Sequence, residues 1–169
     1  MNNYNNEKMR RQDRALDEKT ASEILSKGDY GVLSMVERIE IEEDAKICGY
    51  GIPLNYAWDG AQYIYFHSAL HGRKLECIDA ESNVSFCVVG SSKVVSSEFT
   101  TNFQSVITRG VITRNLEVEE RLKALNLILD KYSPEHKKEG LKCIEDYFKT
   151  TEILRVEISS ISGKSNGKF

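Results

Sequence analysis

The segment Phe66–Leu75, FHSALHGRKL, carries the side chains best placed to do chemistry. A strand ends at His67 and Ser68, a loop containing Gly72 follows, and a helix begins near Gly72–Arg73, so Arg73 and Lys74 fall in its first turn. Bases at that end oppose the helix macrodipole, which favours negative charge there. Two together make sense if an anion is held by free backbone amides, by Ser68 and by both cations. The competing reading is a pair of solvated bases on a surface helix. A second cluster comprises Thr100, Thr101, Gln104, Ser105 and Arg109. Gln104 and Ser105 open a strand, from which their side chains either reach a polar ligand or simply face water. His67, at a strand end beside the basic loop, is the candidate proton carrier near neutral pH; the alternative is a histidine that ties strand to loop. His71 lies in the loop and His136 in an exposed helical turn. No pair of carboxylates stands out as an acid/base couple, and no G-x-S-x-G, Walker A or G-x-G-x-x-G pattern is present. Any chemistry is therefore expected to come from a bound cofactor.

The elements that must position these residues are mostly strands. Asp17 can cap a helix with Ala21, Ile24 and Leu25 on one side and Gly28 as its stop. Strand-like runs follow at Tyr30–Val36, Gly49–Trp58, Ala61–His67, Val84–Val89, Gln104–Thr113 and Glu152–Ile158. The charged stretch Glu37–Lys46, where Ile39 and Ile41 alternate with charges, reads as an extended hairpin tip. Pro53 demotes its strand to an edge or a ligand-facing position, and Asp59-Gly60 reads as a two-residue hairpin turn. A short helix is expected over 72–80, with Leu75 and Ile78 inward, and the long run Gln104–Thr113 carries Val106, Thr108, Gly110 and Ile112 on one side. Two more helices carry the stripes Val118, Leu122, Leu125, Leu129 and Leu141, Ile144, Phe148, the second opened by Ser133-Pro134. Consecutive hairpins without strict βαβ alternation predict a mainly β fold, an antiparallel barrel with flanking helices.

The 169 residues hold 26 acids against 23 bases, a net charge of -3, which argues against a polyanion such as nucleic acid as main partner. No apolar run approaches the ~20 residues that span a bilayer, and the N-terminus lacks a signal-peptide h-region, so a cytoplasmic protein is expected. Residues 1–8 read as a disordered polar tail, 9–164 as one domain and 165–169 as a second polar tail. Cys48, Cys77, Cys87 and Cys143 lack zinc-site spacing and read as buried free thiols, so no metal site is expected.

In order, YGVLSMV, GIPLNYAWDG, YIYFHSALHGRKLECI, NVSFCVV, EFTTNFQSVITRGVI and LRVEISSISGK resemble the nitroimidazole-resistance proteins, which belong to the pyridoxamine-phosphate-oxidase-like flavin-binding split barrels. FHSA-x-x-GRKL and FTT-x-F-x-SV are the specific parts. The resemblance implies a homodimer of six-stranded split barrels with FMN, or alternatively FAD, in each interface cleft. It places Pro53, Leu54 and Asn55 along the isoalloxazine, mainly by backbone. It sets His67 and Ser68 beside the ribityl and phosphate, Arg73 and Lys74 on the phosphate, and Gln104 and Ser105 reaching from the long strand across the dimer. It implies electron transfer from a reduced donor through the flavin to a small electron-poor acceptor, or a non-catalytic flavin-binding protein. Glu37–Cys48 is longer and more charged than the usual hairpin of that family, and Lys164 in the closing SGK fits its end.

Overall fold

The computed structural model describes residues 3–41 and 44–167, and the side chains of residues 40–45 fall outside that description, as does that part of the charged hairpin tip. Helix α1 (Glu18–Lys27) is capped by Asp17, whose carboxylate accepts from the Thr20 N–H at 2.9 Å, and buries Ala21, Ile24 and Leu25. Strands β1 (Gly31–Ile41) and β2 (Asp44–Leu54) form the long hairpin. Then come β3 (Ala57–Trp58), β4 (Tyr63–Ser68), α2 (Arg73–Ala80), β5 (Asn83–Val95), β6 (Thr100–Thr113), α3 (Val118–Tyr132), α4 (Lys137–Tyr147) and β7 (Glu152–Asn166).

All pairings are antiparallel, in one sheet of order β2-β1-β5-β6-β7-β4-β3. The sheet has seven strands where six were expected. The run Gly49–Trp58 reads as one strand, but the chain leaves the ladder at Asn55–Tyr56. Its first part pairs with β1 at one edge and its last two residues pair with β4 at the other. A two-residue link can join opposite edges only if the sheet is rolled until those edges meet there, because each residue spans at most about 3.6 Å. The result is one rolled antiparallel sheet, bridged by the chain at one point and, among the described residues, not closed by strand pairing along the rest of the seam. Pro53 lies on the edge strand β2, as proline requires.

The interior is filled by Leu33, Met35, Phe66, Phe86, Val88, Val106, Ile112 and Leu154, with Phe86 meeting Tyr56 and Phe66 edge-on at 4.8 and 5.0 Å. Alternation along β6 puts Val106, Thr108, Gly110 and Ile112 inward, as the sequence pattern predicts. At Gly110 a Cβ would lie 2.1 Å from the Glu157 carbonyl oxygen, so only glycine lets β6 and β7 approach through their bulge.

Several local expectations are revised. Asp59–Gln62 forms a longer turn, in which the Asp59 carboxylate accepts from the N–H groups of Ala61 and Tyr63 at 2.9 Å each. In α3 the buried residue is Ala124, packed with Tyr65 and Ile153, whereas Val118 and Leu122 are exposed. Pro134 opens a short 3-10 turn before α4, Ser133 makes no side-chain cap, and α4 buries no residue. All four cysteines are free, but Cys48 and Cys143 are exposed. The segment read as a disordered tail lies against β7 from Asn3 onward: Asn5 N–H donates to the Ile161 carbonyl at 2.9 Å, and the Tyr4 hydroxyl donates to the Leu16 carbonyl at 2.5 Å. Met1, Asn2, Lys168 and Phe169 of the two tails, and Glu42 and Glu43, lie outside the described residues. Among the described residues no helix is long and apolar enough to cross a membrane.

The closure point is built on Tyr56. Its ring is fully buried, its hydroxyl donates to the Leu25 carbonyl at 2.5 Å, and its N–H donates to the Tyr132 hydroxyl at 2.9 Å. Tyr132 in turn donates to the Asp29 carbonyl at 2.6 Å. The Lys131 ammonium sits 3.6 Å from the Tyr56 ring centroid and has no hydrogen-bond acceptor. Burial pulls its pKa down from 10.5 to about 8, against a small opposing pull from Asp29. Below pH 8 both folded and unfolded chains hold the proton, and the folded state bears the full cost of a desolvated cation. Between pH 8 and 10.5 the unfolded chain binds more protons, so this group makes stability rise with pH. The rise should amount to roughly 1 kcal/mol, since the site is half open and the ring face offsets part of the penalty. Denaturant unfolding of wild type and Lys131→Met between pH 7 and 9.5 should show the wild type gaining on the variant as pH rises; parallel curves would contradict it.

Candidate functional site

Strand β4 delivers His67 and Ser68 to the rim of the barrel, paired with Ile153 and Glu152 of β7. The chain then crosses to Gly72, whose φ of +129° is a conformation that L side chains rarely adopt. Gly72 caps α2 without a side chain. Its carbonyl accepts from Leu75 N–H at 2.8 Å. Among the described residues nothing accepts from the amides of Arg73 and Lys74, the donors that a helix start leaves open. Leu75, Cys77 and Ile78 anchor the helix in the core, which fixes where those amides point.

Three basic side chains converge on this turn. Arg73 donates from Nε to the Glu37 carboxylate of β1, and its guanidinium lies over the Tyr50 ring of β2 at 5.5 Å. The hydrogen bond and charge of Glu37 raise its pKa. Lys74 is half-buried and has no ion-pair partner among the described residues, and desolvation lowers its pKa. His67 is exposed by surface area but closely walled, so its imidazole pKa is lowered first by desolvation and second by the charge of Lys74. An anion would relieve each of these penalties at once.

The remaining candidates are spread over other elements. Pro53 is exposed on edge strand β2, opposite Val32. Leu54 turns its side chain toward the core, leaving only its backbone to a ligand. Asn55 is exposed, and its amide donates to the Asp29 carbonyl at 2.9 Å. Gln104 and Ser105 lie half-buried on β6, opposite the β5 bulge at Val89–Ser91. Gln104 lines a cavity of about 660 Å³ with Gly28–Val32 and the β5 bulge, and none of His67, Ser68, Arg73 or Lys74 lines it. His67 lines instead a groove of about 440 Å³ between α3 and α4, walled by Leu125, Leu129, Tyr132 and Ile144. Within one chain, then, the β4–α2 turn is assembled, while Gln104 lines a separate cavity and Ser105 lines neither this cavity nor the groove.

Sequence reasoning missed three contributors. Glu37 pairs with Arg73 across 36 positions, which no local pattern signals. Tyr132 and Lys131 reach back from α3 to pin Asn55–Tyr56, although both sit in a run that reads as an ordinary helix end.

The model of the family described as pyridoxamine 5'-phosphate oxidase matches residues 17–165, nearly the whole chain. The chain belongs to this family. Its fold is shared with a candidate 5-nitroimidazole antibiotic resistance protein of Bacteroides thetaiotaomicron, at 19% identity and a TM-score of 0.67 over 89% of this chain and 86% of that one. An FAD-binding protein of Mesorhizobium loti matches at 18% identity and a TM-score of 0.60, over 91% and 98% of the two chains. An FAD- and heme-binding protein of Mycobacterium smegmatis matches at 13% identity and a TM-score of 0.69, over 90% and 73%. At these identities the likeness establishes the fold alone. No curated protein matches the sequence.

The charge coupling at the turn can be tested without any ligand. Lys74→Met removes the cation that opposes protonation of His67 but keeps the side-chain bulk. NMR titration of His67 should show a raised pKa in the variant, still below 6.5 because desolvation persists. An unchanged value would mean that the two side chains do not share one field.

Proposed function

We propose that the chain is a flavin-dependent oxidoreductase that passes electrons from a reduced donor to a small electron-poor acceptor, a nitroimidazole-like compound being the model case. The observation that carries this reading is the anion-seeking turn at the start of α2, in a chain whose family and structural relatives include flavin binders. Free amides at Arg73 and Lys74, the uncompensated Lys74 ammonium and the Ser68 hydroxyl suit the phosphate of FMN or FAD. The flavin, when bound, supplies the electron transfer itself.

The protein's own residues do the rest. Arg73, Lys74 and Ser68 bind the phosphate. Edge strand β2 offers the backbone of Pro53, Leu54 and Asn55 to one side of the ring. His67, whose lowered pKa leaves it largely neutral near pH 7, accepts or delivers a proton beside the cleft. Gln104 and Ser105 reach the cleft from a second copy of the chain.

That second copy is supported by the outer face of the sheet. Val32, Cys87 and Ile107 are in register across β1, β5 and β6, with Val32 and Ile107 exposed at 39% and 38%. Val89 and Val111 extend this apolar face, and Phe99 at the β5–β6 tip is almost fully exposed. Exposed apolar residues in this row, bordered on the same face by Ser85 and Arg109, mark an association surface, and an isologous dimer is the simplest way to cover it.

The purified protein should take up flavin with one site per chain, read by absorbance and by quenching of flavin fluorescence. Arg73→Met and Lys74→Met should each weaken uptake by about 1.5–3 kcal/mol, the range for a charge-assisted hydrogen bond. Stopped-flow mixing with NADH or NADPH should bleach the flavin band, and a nitroaromatic acceptor should restore it. Protein that quenches no flavin would remove the reading; flavin uptake without reduction by either donor would leave a binding protein that does not turn over.

Light scattering should give twice the 19.2 kDa chain mass. Ile107→Lys should shift the protein toward monomer and weaken flavin uptake together, because the cleft would lose Gln104 and Ser105 of the second copy. A monomeric wild type that binds flavin would contradict the shared cleft.

A further inference from the structure

We infer that the groove between α3 and α4 is a binding site for a neutral, apolar ring compound that hydrogen-bonds to His67. It lies apart from the residues given to the flavin phosphate, His67 excepted, and does not depend on the flavin reading.

The two helices are tied at both ends and left unfilled between. At their link the Lys137 ammonium meets the Asp130 carboxylate at 2.7 Å. At the far end Arg121 of α3 donates to the carbonyls of Phe148 and Thr151 at 2.7 and 2.8 Å, and its guanidinium lies 4.1 Å from the centre of the Phe148 ring. Gly140 lets α4 close on α3, since a Cβ there would lie 2.2 Å from Leu129 Cδ1. Yet α4 buries no residue. Ile144 instead forms one wall of the groove of about 440 Å³, with Leu125, Ile128 and Leu129 of α3 as the other. Helices that merely packed together would fill this space with side chains. Held open by contacts at its ends, the groove is preformed, and its volume lies in the ~300–1,000 Å³ range of small-molecule sites.

The lining decides the chemistry of the occupant. Among the described residues Glu139 is the one carboxylate that lines the groove, at its exposed margin, and no lysine or arginine does. Glu139 therefore repels an anion, while the Lys74 charge felt at His67 repels a cation from that end. A neutral molecule meets neither obstacle and loses no ionic hydration among the apolar walls. His67 supplies the polar contact. Its imidazole makes no hydrogen bond within the chain among the described residues, and burial and the Lys74 charge both favour its neutral form. Neutral imidazole offers one donor and one acceptor, which suits a carbonyl, hydroxyl or ring nitrogen on an otherwise apolar ring system. A second copy or a docked helix fits less well. From Leu125 to Tyr132 the groove runs roughly 10 Å along α3, at ~1.5 Å per residue. Between helices packed ~10 Å apart this strip covers on the order of 100 Å², against about 800 Å² a side for a stable interface.

The test uses the full chain and two fluorescent probes that share one ring system, neutral N-phenyl-1-naphthylamine and anionic 8-anilinonaphthalene-1-sulfonate. The neutral probe should bind saturably at one site per chain, about tenfold more tightly than the sulfonate, which must desolvate a charge. At saturation it should move the NMR signals of the His67 and His136 imidazoles, which line the groove, and leave those of His71, which does not. It should also suppress alkylation of Cys143, on the groove wall, by N-ethylmaleimide, while Cys48, exposed on β2, reacts as before. Cys143→Trp, which fills the groove from an exposed position, should abolish this binding and keep the wild-type melting temperature. Equal or tighter binding of the sulfonate overturns the inference, as does binding that leaves His67, His136 and Cys143 unaffected, or no saturable binding at all. A Cys143 already shielded in probe-free protein and released on dilution would give the groove to a second copy and overturn it too. Flavin uptake, measured separately, bears only on the flavin reading.

Discussion

The burial of Tyr56 is the constraint on which the rest of the molecule depends. A seven-stranded sheet with free edges would twist open, and a two-residue link between those edges costs chain entropy that something must offset. Tyr56 does so by donating its hydroxyl to Leu25 of α1 and its N–H to Tyr132 of α3, while its ring fills the barrel beside Phe86. One residue thereby ties two helices and both sheet edges together. The rolled sheet leaves the seam between β2 and β4 free of strand pairing. It is at that seam that α2 crosses to pack against β1 and that Arg73 meets Glu37. The place of the candidate turn is thus a consequence of how the sheet rolls up.

The same turn runs against ordinary helix chemistry. Its helix starts with two bases, a cap without a side chain and open amides, and it desolvates an ammonium with no counter-ion among the described residues. Each feature lowers stability, and packing of Leu75, Cys77 and Ile78 outweighs them. Local rules broken together at one place, inside a fold that obeys them elsewhere, are what the proposed anion site requires. Glu37 limits the excess. Arg73 therefore does not stand as an unpaired base opposing the dipole, and its removal would cost the free protein an ion pair as well as relieve a repulsion.

Much of this was legible because it is local. The α1 cap at Asp17, the inward row of β6 and the α2 boundaries follow from neighbouring residues, and the structure places them as the patterns predict. What was not legible depends on partners distant in sequence. Nothing in GIPLNYAW says that the chain changes sheet edge at Asn55, because Ala57–Trp58 continue the same apolar, strand-like composition. The α3 stripe misleads because α3 and α4 share a groove: Leu125 and Leu129 face that groove, while the small Ala124 meets the sheet. Small residues carry weak hydrophobic signal yet permit the closest approach. Glu37 was seen only as one charge among many, since its role exists only once α2 lies across β1.

The placement of Gln104 follows from the same geometry. Strand β6 is central in the sheet, so its inward side chains belong to the core and its outward ones to whatever covers the sheet. Gln104 and Ser105 sit where the β5 bulge displaces this ladder, so the local register shifts beside them. Gln104 falls on the side of β6 that Val106 shares and lines the cavity beside α1, and Ser105 falls on the other side. Under the two-copy reading proposed above, Ser105 faces whatever body covers the outer face, on which Val32 and Ile107 are exposed. A cofactor held between copies would then gain its phosphate grip from one chain and polar ring contacts from the other. Cofactor binding and association would reinforce each other, since each buries part of the surface that the other needs.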